Sequence, residues 1–326
     1  MKKLTTTLLA GAFSLAAFSA IAADKLTLQL KWVTQAQFAG YYVAKDKGFY
    51  TEAGLDIEIK PGGPDIAPEQ VIAGDGADVI VAWMGGALVA REKGVPLVNI
   101  AQPFGKAGLQ MICAKGGKVT TEADFKGTTL GTWFFGNEYP FFAWMSKLGL
   151  STEGGPDGVT VLKQNFDVSA LVTKEADCIS VMTYNEYFQA LDAGFKPEDL
   201  VVFNYSAMGN DLMEDGLYVK EEDLADPAMK DKLTRFVKAS MKGWQYAVAN
   251  PDEAAMITLE NDASGAQTEV SQKRMMGEIA KLISDPNGTL DTAVYDRTVA
   301  ALMAQKIITK MPEGAFTKDI TEAAMK

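Results

Sequence analysis

The chain has 326 residues, 48% of them hydrophobic and 22% charged, with a net charge of −11 at neutral pH. That length and ordinary globular usage allow two lobes with cores of their own, and the acidic balance disfavours nucleic acid and anionic membrane surfaces as partners. The chain has no His and only two Cys, Cys113 and Cys178, which removes Ser-His-Asp and Cys-His nucleophiles, a His-bearing zinc site and a four-thiolate site.

The N-terminus reads as a secretory signal peptide. Lys2 and Lys3 precede an apolar run over residues 8–21, and Ala20-Ile21-Ala22 fits a small-residue cleavage site. The run is shorter than the ~20 residues of a membrane span. The segment 1–23 is therefore expected to be removed, leaving a mature chain that starts near Ala23 or Asp24, with a net charge of −13 once Lys2 and Lys3 are lost. No Cys lies near the cleavage site to carry a lipid. The mature protein is expected to be soluble and periplasmic.

From residue 26 the pattern alternates strand and helix. Residues 26–30 alternate apolar and polar as a strand, 38–47 read as a helix stopped by Gly48, and 55–59 alternate again after Gly54. Residues 61–68, "PGGPDIAP", are a loop without the spacing of a phosphate loop. Asp65 is placed to cap the short helix 69–74. A buried strand over 77–83, a helix ending at Gly94 and a strand over 96–104 complete a β-α-β-α-β-α-β order, which predicts a mostly parallel sheet. The order repeats: strand, turn and helix over 128–149, a strand at 159–164, a helix at 168–176, then strand, turn and helix over 177–194. A strand at 199–205 is expected to lead back to the first lobe, and from about residue 227 the chain reads as mainly helical. The expected architecture is α/β, two lobes with the second inserted in the first: residues 24–105 and 206–326 against 106–205. Cys113 and Cys178 sit in apolar, strand-like runs and read as two buried thiols, with a disulfide permitted by an oxidising compartment.

Four strand-to-helix turns carry unusual residues: "KWVTQAQF" (31–38), "AWMGG" (82–86), "GTWFFGNEY" (131–139) and "MTYNEY" (182–187). In open α/β sheets, ligands bind beyond the carboxyl ends of strands. Trp32, Trp83 and Trp133 occupy these turns with Phe38, Tyr139 and Tyr184. Gln35, Gln37, Asn137 and Asn185 offer donors and acceptors, and Glu138 and Glu186 can accept from an amine. Gly85, Gly86 and Gly136 let backbone approach a ligand. Met84 completes the second turn. Arg91, Arg235, Arg274 and Arg297 all lie elsewhere, which favours a neutral or weakly basic flat ligand over a strongly anionic one. A single ring at a strand end more often packs the core than touches a ligand. Four such turns across two lobes argue for a cleft, in which a flat ligand slots between rings. Phe141, Phe142 and Trp144 follow helical spacing and read as core, as do Met256, Met275, Met276 and Met303. One of the adjacent Tyr41 and Tyr42 is expected to face inward.

The stretches "LQLKWVTQAQFAGYYVAKDKGFYTEAGLDIEI" and "GADVIVAWMGGALVAREKGVPLVNIAQ", followed by "DFKGTTLGTWFFGNEYPFF" and "ADCISVMTYNEYFQ", resemble periplasmic solute-binding proteins of ABC importers. The branch is that of thiamine-pyrimidine precursors, sulfonates and nitrate (SsuA/THI5-like, NMT1-like). The resemblance implies a type II periplasmic-binding-protein fold, a hinge and a ligand closed between the lobes. It implies a monomer with an ABC permease and ATPase as partners, and no cofactor. By position it puts Trp32, Gln35, Trp83, Gly136, Asn137, Glu138 and Tyr184 against the ligand. The expected ligand is a thiamine pyrimidine precursor such as hydroxymethylpyrimidine or formylaminopyrimidine, with riboflavin, nitrate or a sulfonate as alternatives. Thiamine pyrimidine synthases share the fold but consume an active-site His, with pyridoxal phosphate and iron. Here "TQAQFAG" puts Gln37 or Phe38 in the matching region, so a binding protein is expected and not an enzyme.

Overall fold

The computed structural model describes residues 23–210, 212–283, 285 and 287–326; the expected signal segment lies outside them apart from Ala23. The chain builds two five-stranded sheets. Strands β1 (Asp24–Gln29), β2 (Leu55–Lys60), β3 (Val79–Ala82) and β4 (Leu97–Ala101) belong to the first. Strands β5 (Leu109–Ala114), β6 (Thr129–Thr132), β7 (Thr160–Lys163), β8 (Cys178–Met182) and β9 (Leu200–Asn204) form the second. The chain then returns to the first sheet as β10 (Gly216–Lys220).

Each lobe keeps a parallel trio, β2-β1-β3 and β7-β6-β8. Neither sheet is as parallel as the alternation predicts. β10 runs antiparallel between β3 and β4, and β5 runs antiparallel to both β8 and β9. The strand at 199–205 is β9, the edge of the second sheet, and the chain after it returns to the first sheet as β10. β10 escapes a pattern search because Glu214, Asp215 and Glu221 flank a five-residue run. Its partners on both sides, not its own periodicity, make it a strand.

The helix Pro227–Ala249 lies across the helix Ala39–Asp46 at contact distance of the backbones. A Cβ on Gly243 would stand 2.0 Å from the Gly40 carbonyl oxygen, and one on Gly40 would stand 2.2 Å from the Trp244 ring. Trp244 in turn meets Tyr41 and Phe104 edge-on. Both Tyr41 and Tyr42 are buried, the latter sharing a hydrogen bond with Thr34. Asp226 caps the long helix by accepting from the Ala228 N–H, whereas Asp65 caps nothing and pairs with Lys163. In the second lobe, Trp144 packs on Phe125, Phe203 and Tyr205 and donates its indole N–H to Glu122. Phe141, Met275 and Met276 are buried as expected.

Cys113 and Cys178 are not free thiols. They face each other across β5 and β8 and form a disulfide. Sequence cannot see this, because a buried apolar strand position suits a thiol and a half-cystine equally. Among the described residues, no cluster of His, Cys, Asp and Glu could hold a metal, and no helix is long and apolar enough to cross a membrane.

Candidate functional site

The four unusual turns follow β1, β3, β6 and β8, whose carboxyl ends are the natural ligand edge of a parallel sheet. After β1 the chain bends through Lys31 and Trp32 to Gln35, itself in extended backbone. It then makes one 3-10 turn (Ala36–Phe38) into the helix Ala39–Asp46. The turn is pinned from two sides: Gly62 N–H donates to the Trp32 carbonyl, and Ala36 N–H donates to Gln272 Oε1. Trp83 closes β3 and precedes the helix Met84–Glu92. β6 leads through Trp133 and a loop with left-handed Phe135 and Gly136 (φ 59° and 98°) into the helix Tyr139–Lys147. β8 leads through Tyr184 to the helix Glu186–Asp192.

These turns meet around a small cavity lined by Lys31, Trp32, Gln35, Gln37 and Trp83 from the first lobe and by Trp133, Asn137, Met182, Tyr184 and Glu186 from the second. Trp32 and Trp133 meet there edge to face. Trp83 donates its indole N–H to Asn137 Oδ1 across the lobes at 3.0 Å. Asn137 Nδ2 is spent on the Phe134 carbonyl and Trp133 Nε1 on the Asn165 carbonyl.

A buried ionic network supports the cavity. Lys31 Nζ lies 3.0 Å from Asp215 Oδ1, 3.9 Å from Glu214 Oε1, and 4.6 Å from the centre of the Trp83 ring. Glu214 accepts from the Tyr184 hydroxyl at 2.6 Å and from the Gly108 N–H at 2.8 Å. It therefore ties together both chain crossings and the second lobe. Asp215 Oδ2 accepts from Gln37 Nε2, and Gln37 Oε1 accepts from Gln35 Nε2. Glu186 accepts from the Met182 N–H and from Asn185 Nδ2. Burial pushes the Glu186 carboxyl up to about 7. Burial, with Asp215 beside it, pushes Glu214 up to about 7, while Lys31 pulls the other way. Burial raises Asp215 as well, against the pull of Lys31. Three acidic groups to one cation make this a poor home for an anion.

Of the residues expected at the site, Trp32, Gln35, Gln37, Trp83, Trp133, Asn137 and Tyr184 come together at this cavity. Gly136, Glu138 and Tyr139 line a neighbouring larger space of about 1010 Å³, which Glu69, Lys93 and Lys163 share. Phe38 and Met84 are fully buried in hydrophobic clusters. Gly85 packs against Tyr139, and Asn185 serves Glu186; none of these four lines the cavity. Glu186, expected as an amine acceptor, does line it, whereas the expected set omits Lys31 and Met182. Lys31 carried one signal, a charge at the inner end of an apolar strand, where a buried partner is obligatory. Glu214 and Asp215, its partners, lie 183 and 184 positions away, in a stretch without motif.

A family model described as NMT1/THI5 like matches residues 35–254. A formylaminopyrimidine-binding protein of Halalkalibacterium halodurans is 23% identical over 276 residues, covering 82% of this chain and 80% of that one. A riboflavin-binding protein of Chloroflexus aurantiacus is 25% identical over 244 residues, 73% of this chain and 66% of that one. A 4-amino-5-hydroxymethyl-2-methylpyrimidine phosphate synthase of Saccharomyces cerevisiae is 23% identical over 247 residues, 71% and 69% of the two chains. Among solved structures, the ligand-binding component of an ABC-type import system from Staphylococcus aureus superposes with a TM-score of 0.69 at 12% identity, covering 92% of this chain and 99% of that one. The two-lobed architecture is that of periplasmic binding proteins, and the chain belongs to the NMT1/THI5-like family.

Proposed function

We propose that the protein is the substrate-binding component of an ABC importer. It captures a small nitrogen heteroaromatic compound between its lobes, of the class of thiamine pyrimidine precursors such as hydroxymethylpyrimidine or formylaminopyrimidine. The carrying observation is the interlobe cavity, in which aromatic walls from both lobes surround a few polar groups. None of the four Arg lines it, and the buried charges around it are mainly acidic, which disfavours sulfonate and nitrate. The chain holds no His, so the His that the family resemblance gives the synthases has no counterpart, and we read the protein as a carrier and not an enzyme. The leader-like N-terminus and the kinship with importer components support a periplasmic location and a permease–ATPase pair as partners.

Titration calorimetry with 4-amino-5-hydroxymethyl-2-methylpyrimidine, riboflavin and ethanesulfonate tests this reading. Tight binding of the pyrimidine alone is expected. Preferential binding of ethanesulfonate, or turnover of the pyrimidine, would overturn it.

A further inference from the structure

The hydrogen-bond polarity of the cavity follows from one carboxylate outside the reach of sequence patterns. Asp215 is held by the Lys31 ammonium on one oxygen, and its other oxygen accepts from Gln37 at 2.8 Å. A carboxylate so placed only accepts, so the Gln37 amide must turn its NH₂ toward Asp215. That leaves Gln37 Oε1 facing Gln35, which must then turn its own NH₂ toward Gln37, at 2.7 Å. Flipping either amide would set two acceptor oxygens against each other at hydrogen-bond distance. The relay therefore fixes which end of Gln35 is free. That end is Oε1, an acceptor, buried without a partner on a residue only 2% exposed.

The rest of the cavity points the same way. The aromatic donors of the cavity already have protein acceptors: Trp83 Nε1 is bound to Asn137, Trp133 Nε1 to the Asn165 carbonyl, and the Tyr184 hydroxyl to Glu214. Lys31 is taken up by its two carboxylates and the Trp83 face. Among the residues that line the cavity, the buried side-chain polar atom left without a protein partner is an acceptor, Gln35 Oε1. A buried acceptor left unpaired costs more than a hydrogen bond gains, so the closed cavity is incomplete until a ligand donates.

We infer that the ligand presents an N–H donor edge, as an amino-substituted nitrogen heterocycle does, and that Gln35, oriented by Asp215 through Gln37, selects it over the oxo counterpart. This rests on the binding-protein reading above and narrows it to a polarity. An oxo group in place of the amino group would bring a second acceptor against Gln35 Oε1.

The test compares 4-amino-5-hydroxymethyl-2-methylpyrimidine with its 4-oxo counterpart by titration calorimetry, on wild type and on Gln35→Met, a variant of similar size. Wild type should prefer the amino compound by about 10- to 100-fold, the scale on which a buried polar group rejects a mismatched partner. Gln35→Met should bind the amino compound more weakly and lose most of the preference. Equal wild-type affinity for the two, or a preference that survives Gln35→Met, overturns the polarity and leaves the heteroaromatic reading standing. Binding of neither, with ethanesulfonate bound instead, overturns the heteroaromatic reading itself and the polarity with it, and riboflavin bound instead overturns the pyrimidine-precursor class and the amino preference. The wild-type ratio decides without any variant if Gln35→Met fails to fold.

Discussion

Trp32 of the first lobe and Trp133 of the second touch edge to face, with ring centroids 5.9 Å apart and planes at 68°. With the two rings in contact, we expect a flat ligand to lie beside this pair, against one ring face or against Trp83 and Tyr184. The two rings are 6% and 5% exposed, so each also glues the lobes together. We predict that Trp32→Leu and Trp133→Leu each weaken binding of 4-amino-5-hydroxymethyl-2-methylpyrimidine by about 5- to 150-fold, through lost area and ring contact of ~1–3 kcal/mol. Both should lower the melting temperature too. Trp144→Leu, buried in the second-lobe core away from the cavity, should lower the melting temperature and keep the affinity. Wild-type binding by both cavity variants would make them packing residues only.

The close crossing of the helices Ala39–Asp46 and Pro227–Ala249 gives a prediction about stability alone. Gly243→Ala drives a methyl into the Gly40 carbonyl, and overpacking against backbone costs ~1–3 kcal/mol or more. Gly277→Ala, in the helix Glu269–Ile279 with nothing within 4 Å, should instead gain up to ~1 kcal/mol from helix propensity. Urea unfolding of the two variants checks the contrast. A neutral Gly243→Ala would mean that the helices separate freely.

The Cys113–Cys178 disulfide closes a separation of 65 residues. Replacing both by Ala, or reducing the bond, should cost ~2–4 kcal/mol. The check is a denaturant melt with and without reductant, beside a thiol count. Two titratable thiols per oxidised chain would contradict the bond.

Glu69 supplies a pH dependence. Its carboxyl lies where a Cβ on Gly86 or Gly136 would be, so it is wedged between the two lobes, and Oε1 is buried without a partner. Burial, with Glu138 nearby, pushes it up to about 7. A carboxyl whose folded-state pKa is raised holds its proton more tightly folded than unfolded. Its contribution is thus most favourable at low pH and is lost as pH climbs from the ordinary carboxylate range to about 7, at ~1.4 kcal/mol per unit of difference. Glu186 and Glu214 act in the same sense. The melting temperature should fall between pH 5 and pH 8. Glu69→Gln should recover part of the loss at pH 8 and change little at pH 5. A variant that melts lower than wild type at pH 8 would show that the ionised carboxyl is the stabilising form.

The alternation of strands and helices, the four decorated turns and the core role of Trp144 were legible in the sequence because each rests on local periodicity or local composition. β10, the disulfide and the direction of β9 were not, because each is decided by a partner distant in sequence. The same division runs through the cavity. Trp32, Trp83, Trp133 and Tyr184 announce themselves as large rings where turn residues belong. Phe38 and Met84 share that neighbourhood, yet their side chains point into the core, a matter of one or two positions that no motif resolves. Lys31, Glu214 and Asp215 are single charges in unremarked contexts, and only their meeting, at 3.0 and 3.9 Å, shows what the first turn is built around.

An amino-bearing nitrogen heteroaromatic held between the lobes should travel with the purified protein. Mass spectrometry of the small molecule that co-purifies with the native protein, released by denaturation, tests it most directly. The expected result is a single-ring, nitrogen-rich compound with at least one exchangeable amino group, depleted in protein carrying Trp133→Leu. Recovery of a sulfonate, nitrate or flavin at one equivalent per chain would contradict it.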